Sequence, residues 1–265
     1  MPQRSDAAYT IGFSAVVCVV CAVLVSSSAV ALRDRQAVNI ELDRRKNVLA
    51  AAGVLKDGES LSREEIERRF ASFQVVAVDL RSGEEDPSFP IEGYDARRAL
   101  ADASASRPAP RNDAQILRVP NHGLVYKQLD AGGRLDLIVL PVEGKGLWST
   151  LFGFLALGAD LTTIRGLTYY QHGETPGLGG EVDNPRWKAL WPGRSAFDEG
   201  GEPVIEVTRG RAGTVQEDPH RVDGLAGATL TSRGVTGMLQ FWLGENGYGP
   251  YLERLKKEGV DGQTP

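Results

Sequence analysis

Cysteine is close to absent from this chain. Only Cys18 and Cys21 carry a thiol among 265 residues, and both lie inside an uncharged apolar run. The rest of the chain therefore has no disulfide framework, and two thiols supply too few ligands for an iron–sulfur centre. Their plain reading is as small apolar residues, since cysteine packs as a small hydrophobe. Histidine is nearly as scarce. His122, His172 and His220 show no i, i+3 or i, i+4 spacing, so a zinc centre is not expected. His172 also has no neighbouring Ser or Cys to form a triad and reads as a hydrogen-bonded loop residue. A basic stripe is missing too: 30 Lys and Arg face 35 Asp and Glu, for a net charge of -5, and the cations are scattered. That excludes the electrostatic footprint of a nucleic-acid binder. No internal repeat is present.

What stands out instead is Ile11 to Leu32, which holds no charged residue. As a helix it spans roughly 30 Å, the thickness of a bilayer's hydrocarbon core. A cleaved signal peptide is the rival reading, with Arg4 as its basic region and Ala29-Val30-Ala31 as its cleavage pattern. The run exceeds the ~7 to 15 apolar residues of a signal sequence, so residues 11–32 are expected to anchor the chain, after a short tail at 1–10. Membrane lipid is then a partner. Beyond the run stand Arg33, Arg35, Arg44, Arg45 and Lys46, against Arg4 before it. The positive-inside rule alone points to a cytoplasmic domain. Interleaved Asp34, Glu41 and Asp43, and the insensitivity of long domains to flanking charge, leave room for the extracytoplasmic placement favoured by the motifs below.

Residues 33–55 read as a juxtamembrane helix: Val38, Leu42, Val48 and Leu49 recur among charges and Gly53 marks a stop. A domain at 56–265 follows. Ser62 with Glu65 is a capping-box pattern before a short helix. Gln74 to Leu80, Gly123 to Gln128, Arg134 to Leu140, Thr163 to Tyr170 and Val204 to Thr208 read as strands. Arg81 to Asn112, rich in Ser, Ala and Pro, reads as a surface excursion with little chemistry. The last helical segment starts at Thr231 or Ser232 as N-cap and ends before Gly244. Together these give an α+β fold, a mainly antiparallel sheet packed with helices.

Three segments carry chemistry. Asp223-Gly224-Leu225-Ala226-Gly227-Ala228-Thr229 leads straight into that last helix. Free N–H groups and the helix dipole suit a phosphate there, and Gly227 allows close backbone approach. An ordinary glycine turn before a helix is the bland alternative. Gly146-Leu147-Trp148-Ser149-Thr150, continuing to Phe152-Gly153-Phe154, has too many glycines and aromatics for a plain strand. His172-Gly173-Glu174-Thr175-Pro176-Gly177-Leu178-Gly179-Gly180 is a loop whose glycines admit a flat ligand. Glu174 reads as a turn-stabilising carboxylate. Arg209, just before Gly210, is a cation placed to neutralise a phosphate.

The run from Asp223 to Thr229 resembles the flavin-attachment motif of the FMN-binding domain family: Asp, two variable positions, Ser or Thr, Gly, Ala, Thr. The other two segments resemble those of the C subunits of sodium-translocating NADH:quinone reductases. The resemblance covers nearly the whole chain, apart from the stretch around residues 84 to 112. It implies that a flavin transferase moves the FMN part of FAD onto Thr229, giving a phosphoester, with Asp223 assisting. Gly227, Ala228, Leu230 and Thr231 flank that attachment. Thr175, Gly177 and Glu174 lie at the isoalloxazine edge, Leu178 on its face, and Trp148 closes the pocket. Ala226 departs from the motif, which has a hydroxyl at that position.

By this resemblance the chain is an FMN-carrying electron-transfer subunit of the sodium-exporting NADH:quinone reductase in a bacterial inner membrane. It is a single-pass protein that does not bind NADH itself, and it relays electrons among partner subunits from NADH toward quinone. Two alternatives stand beside it. One is the G-type subunit of the related ion-pumping ferredoxin:NAD reductase complex, which shares domain and motif. The other is a flavin-free anchored scaffold, and Ala226 alone favours that.

Overall fold

The computed structural model describes residues 3–55, 59 and 61–261. The chain divides into two units, Met1–Arg44 and Arg45–Pro265. The first is helical throughout its described residues. Within it Ala7–Arg33 is long and apolar enough to cross a membrane, and none of its side chains is buried by the protein. Helix α1 (Gln3–Ala51) begins already at Gln3, so the expected N-terminal tail is largely helical. It ends where the sequence places a glycine stop. Gly53, at φ +73°, donates to the Ala50 carbonyl and Val54 to that of Leu49, the paired bonds of a Schellman turn.

The second unit is built on a six-stranded antiparallel sheet in the order β2-β1-β5-β6-β7-β8. The strands are β1 (Phe73–Asp79), β2 (Glu84–Glu85), β5 (His122–Leu129), β6 (Leu135–Lys145), β7 (Thr150–Gly158) and β8 (Ile164–Gln171). Four of the expected strands are here, within a few residues of their predicted ends. The fifth, Val204 to Thr208, shrinks to β9 (Glu206–Val207), paired in parallel with β10 (Arg221–Val222) in a small separate ribbon.

One expectation is overturned by the sheet. The glycine-rich aromatic block does not avoid strand structure, because Thr150 onward is β7, next to the sheet edge. Leu151, Leu155 and Leu157 are buried on its core face, and Phe154 packs edge-on against Tyr126 and beside Tyr170 on the other. The aromatics are cross-strand partners, which stabilise a sheet by pairing. The excursion from Arg81 to Asn112 lies mostly at the surface, as expected, and carries secondary structure of its own. It holds β2, α3 (Ala96–Ala101) and β3 (Ser106–Pro108), the last paired with β4 (Arg118–Pro120). Arg97 pins α3 to the sheet, its guanidinium 3.7 Å from the Phe152 ring centre and hydrogen-bonded to Gln171 and Tyr170.

One face of the sheet meets α2 (Arg63–Phe70) and the end of α1 through Phe70, Phe73, Val48 and Leu49. Ser62 caps α2 by accepting from the Glu65 N–H, as its pattern predicts. The opposite face holds the main core, under α5 (Thr229–Leu243). Val235, Met238, Leu239 and Trp242 bury one stripe of α5, at about 1.5 to 3 kcal/mol per large side chain. The helix lies tight on β6. A Cβ at Gly234 would come within 2.2 Å of the Lys145 carbonyl oxygen, and Trp242 Nε1 donates to the Glu143 carbonyl. Consequently the first turn of α5 lies beside the segment that leaves β6 after Lys145. The chain does not end its helices with α5, for α6 (Gly249–Asp261) follows, with Pro250 in its first turn and Tyr251 and Leu252 buried.

Candidate functional site

The entrance of α5 is open. The helix starts at Thr229, two or three residues before the expected N-cap at Thr231 or Ser232, and the capping position falls to Ala228, which offers no side-chain acceptor. In its first turn Ser232 N–H reaches the Ala228 carbonyl. The N–H groups of Thr229, Leu230 and Thr231 are the orphan donors of a helix start. The two hydroxyls predicted as caps are employed inside the helix instead. Ser232 Oγ accepts from the Leu225 N–H at 3.2 Å, holding the motif loop, and Thr231 donates to Glu174 at 2.6 Å. Thr229 itself is exposed.

Glu174 ties the three segments together. It is only 5% exposed. One carboxylate oxygen accepts from the Trp148 and Ser149 N–H groups, the other from the Leu147 N–H and the Thr231 hydroxyl. Burial pushes this carboxyl up, but the Thr231 hydroxyl and the Trp148, Ser149 and Leu147 N–H groups outweigh it and hold it below the usual glutamate value. A carboxylate so fully engaged is a strut: it positions the site. His172 supports the same loop, accepting the Glu174 N–H at Nδ1 and meeting Asp183 through Nε2 at 2.6 Å. The Thr175 carbonyl closes the turn by accepting from Leu178 and Gly180 N–H groups, and Thr175 and Gly177 are exposed on it.

Gly227 brings the loop and the motif into contact. It sits at φ +70°, and a Cβ there would lie 2.8 Å from Leu178 Cδ2, so it serves both left-handed backbone and close approach. Around Thr229 the protein exposes an uncommon set of apolar side chains: Leu147, Leu178, Leu230 and Trp148, the last 67% exposed. Clustered exposed apolar groups mark an interaction site. Beside them a cleft of about 1240 Å³ runs past Thr229, lined among others by Lys145, Arg209, Arg211, Asp223 and Arg233. Asp223 is partly committed there, since its Oδ1 accepts from the Ala212 N–H and its carbonyl from Trp187 Nε1. Ala226 is exposed, so a hydroxyl at that position would have no packing role.

This region is also where known proteins match. An FMN-binding domain family model matches residues 146–244, from the first residue of the Gly146 block to the end of α5, and every predicted site residue falls inside it. Over 97% of its length the chain is 44% identical to the C subunit of the Na(+)-translocating NADH-quinone reductase of Pseudomonas aeruginosa, covering 99% of that protein. The C subunit of the Yersinia pestis enzyme is 41% identical, with 97% and 96% covered. The chain belongs to the family of C subunits of Na+-translocating NADH-quinone reductases. Its fold agrees. The crystal structure of Shewanella oneidensis NqrC matches at a TM-score of 0.73 and 34% identity, with 81% of this chain and 97% of that one covered. The C subunit from Parabacteroides distasonis matches at 0.64 and 25%, with 83% and 96% covered.

Of the predicted residues, the structure gathers Thr229, Gly227, Ala228, Leu230, Trp148 and Leu178 around the open helix end, with Arg209 and Asp223 in the adjoining cleft. Glu174 and Thr231 lie beneath, their side chains bonded to each other and buried, so neither presents a side-chain polar atom to a ligand. Sequence reasoning missed Arg211 and Arg233. Their signal was available: Arg233 stands four residues after Thr229, on the same helix face, and Arg211 follows the turn at Gly210.

Proposed function

We propose that this chain carries FMN as a phosphoester on Thr229 and relays electrons from NADH toward quinone within a sodium-exporting membrane complex. The observation that carries the reading is the open start of α5. An exposed threonine occupies its first position, no side chain caps it, and exposed apolar groups surround it. An anion is stabilised at such a place by the orphan N–H donors and the helix dipole, and Leu147, Trp148, Leu178 and Leu230 suit a planar ring. The residues present therefore fit FMN. The names of the relatives supply the complex and the ion, and the matched domain supplies the flavin.

In this reading a flavin transferase provides FAD. The Thr229 Oγ forms a bond to the flavin-side phosphorus, the pyrophosphate bond breaks, AMP leaves, and the hydroxyl proton passes to a base of the transferase. Bound FMN supplies reversible electron uptake and release; the protein supplies position and field. Thr175, Gly177, Leu178 and Trp148 would hold the ring, and Arg209 would balance negative charge. Glu174 acts by fixing the Trp148 segment to the first turn of α5. Residues 11–32 anchor the chain in the inner membrane as a single pass, with the domain on the extracytoplasmic side.

The test is the assembled complex carrying Thr229→Ala, in sealed vesicles. Assembly with loss of both NADH-driven quinone reduction and sodium uptake is the expected result. Full turnover and uptake in the variant would remove the chain from the electron path and favour the flavin-free scaffold.

A further inference from the structure

The cleft beside Thr229 is more cationic than a single phosphate neighbour requires. Arg209, Arg211 and Arg233 all line it and all are exposed. Among the described residues none of the three guanidinium groups has a hydrogen bond, ion pair or ring partner. Several other arginines in this domain are employed: Arg194 binds four backbone carbonyls, Arg107 two, and Arg221 pairs with Glu206. The acidic groups in the cleft do not cancel the three. Glu206 is taken by Arg221, Asp223 accepts from the Ala212 N–H, and Asp113, the third acid lining the cleft, is outnumbered by Lys145, Arg209, Arg211 and Arg233.

Their placement is built. Arg209 and Arg211 flank a turn at Gly210 whose carbonyl accepts from the Gly224 N–H, inside the attachment motif. The Ala212 bond to Asp223 fixes the other end of the same turn. Arg233 comes from the helix itself, one turn beyond Thr229, where side chains four apart are neighbours. One loop and one helix thus place three unengaged cations in the cleft that runs past Thr229. Guanidinium forks match phosphate oxygens.

We propose that Arg211 and Arg233, with Arg209, form a phosphate clamp at Thr229. Its ligand is the phosphate ester anion, from either of two sources: the pyrophosphate of incoming FAD, or the phosphodiester left after attachment. The proposal rests on flavin attachment at Thr229, and it adds that this protein, besides the transferase, stabilises the phosphate charge. These contacts are exposed, so their effect falls as salt rises.

The test uses the full chain in detergent with flavin transferase, FAD and Mg2+. Wild type is compared with Arg211→Gln, Arg233→Gln, the double variant, Arg233→Lys and Thr229→Ala. The clamp predicts labelling at least tenfold slower in the double variant at low salt. It also predicts a wild-type rate that falls with salt while the double variant's does not, and partial rescue by Arg233→Lys. If slowing is absent but the flavin potential of the loaded double variant shifts downward, the clamp acts on the attached phosphodiester. Equal rates, equal salt dependence and equal potentials, with Thr229→Ala unlabelled, overturn the clamp and leave attachment standing. If wild type takes no label, attachment fails, and pyrophosphate titrated calorimetrically into the unmodified chain decides the clamp. Binding at least tenfold tighter in wild type than in the double variant supports it, and equal or absent binding overturns it.

Discussion

Two helix entrances in this domain are made in opposite ways. At α2, Ser62 accepts the Glu65 N–H, two glutamates stand in the first turn, and Arg69 returns to Glu65. A side-chain cap and favourable charge both stabilise that start. At α5, Ala228 caps nothing, no acidic residue stands in the first turn, and the Ser232 and Thr231 hydroxyls are turned inward to Leu225 and Glu174. The same chain that closes one helix with its own side chains leaves another for something else to close. The lack of a cap is a local weakness, and such departures from local consistency are expected at functional sites.

That contrast can be broken at several points. The largest effect is expected at Thr229→Ala, where the flavin adduct disappears completely, read by in-gel fluorescence after denaturation. Next is Glu174→Gln. A carboxamide has one acceptor oxygen and turns an NH2 toward backbone donors, so about 3 kcal/mol of stability should be lost in urea unfolding. The pH dependence has the same origin. Because the folded carboxyl titrates below the usual 4.5, its stabilisation is complete above about pH 5 and is lost as pH falls through the folded value. The Gln variant should lack that component of acid sensitivity. Gly227→Ala forces a left-handed alanine against Leu178 and should cost about 1 to 2 kcal/mol, with slower flavinylation.

The two smallest effects sharpen the comparison. Ser62→Ala should destabilise by about 1 kcal/mol, the ordinary worth of an N-cap, without changing flavin content. Ala226→Ser should stay within about 0.5 kcal/mol, as for other exposed positions. If the restored hydroxyl matters to the transferase, only the labelling rate will show it.

How far these features were readable depends on how local they are. The apolar run, the glycine stop at Gly53 and the Ser62 cap each depend on a few adjacent residues, and the structure has them where their patterns predict. The glycine turn at Gly227, leading into a helix, was legible for the same reason. The start of α5 was not. Thr231 and Ser232 are good N-cap residues by type, and only Glu174, 57 positions before Thr231, and Leu225, held by Ser232, draw their hydroxyls away. The block at Gly146 was misread as too irregular for a strand because Phe152 and Phe154 acquire partners only when β8 and α3 are in place. Glu174 was legible as a stabilising carboxylate, but its reach across three segments is a property of the folded sheet.

The central claim is that the open end of α5 is closed by a flavin phosphate on Thr229. It is tested most directly by peptide-level mass mapping of the full chain after incubation with flavin transferase and FAD. The account predicts one FMN adduct per chain, located on Thr229 in the peptide spanning Asp223 to Arg233. An adduct on another residue, or an unmodified chain under conditions that label a control acceptor, would contradict it.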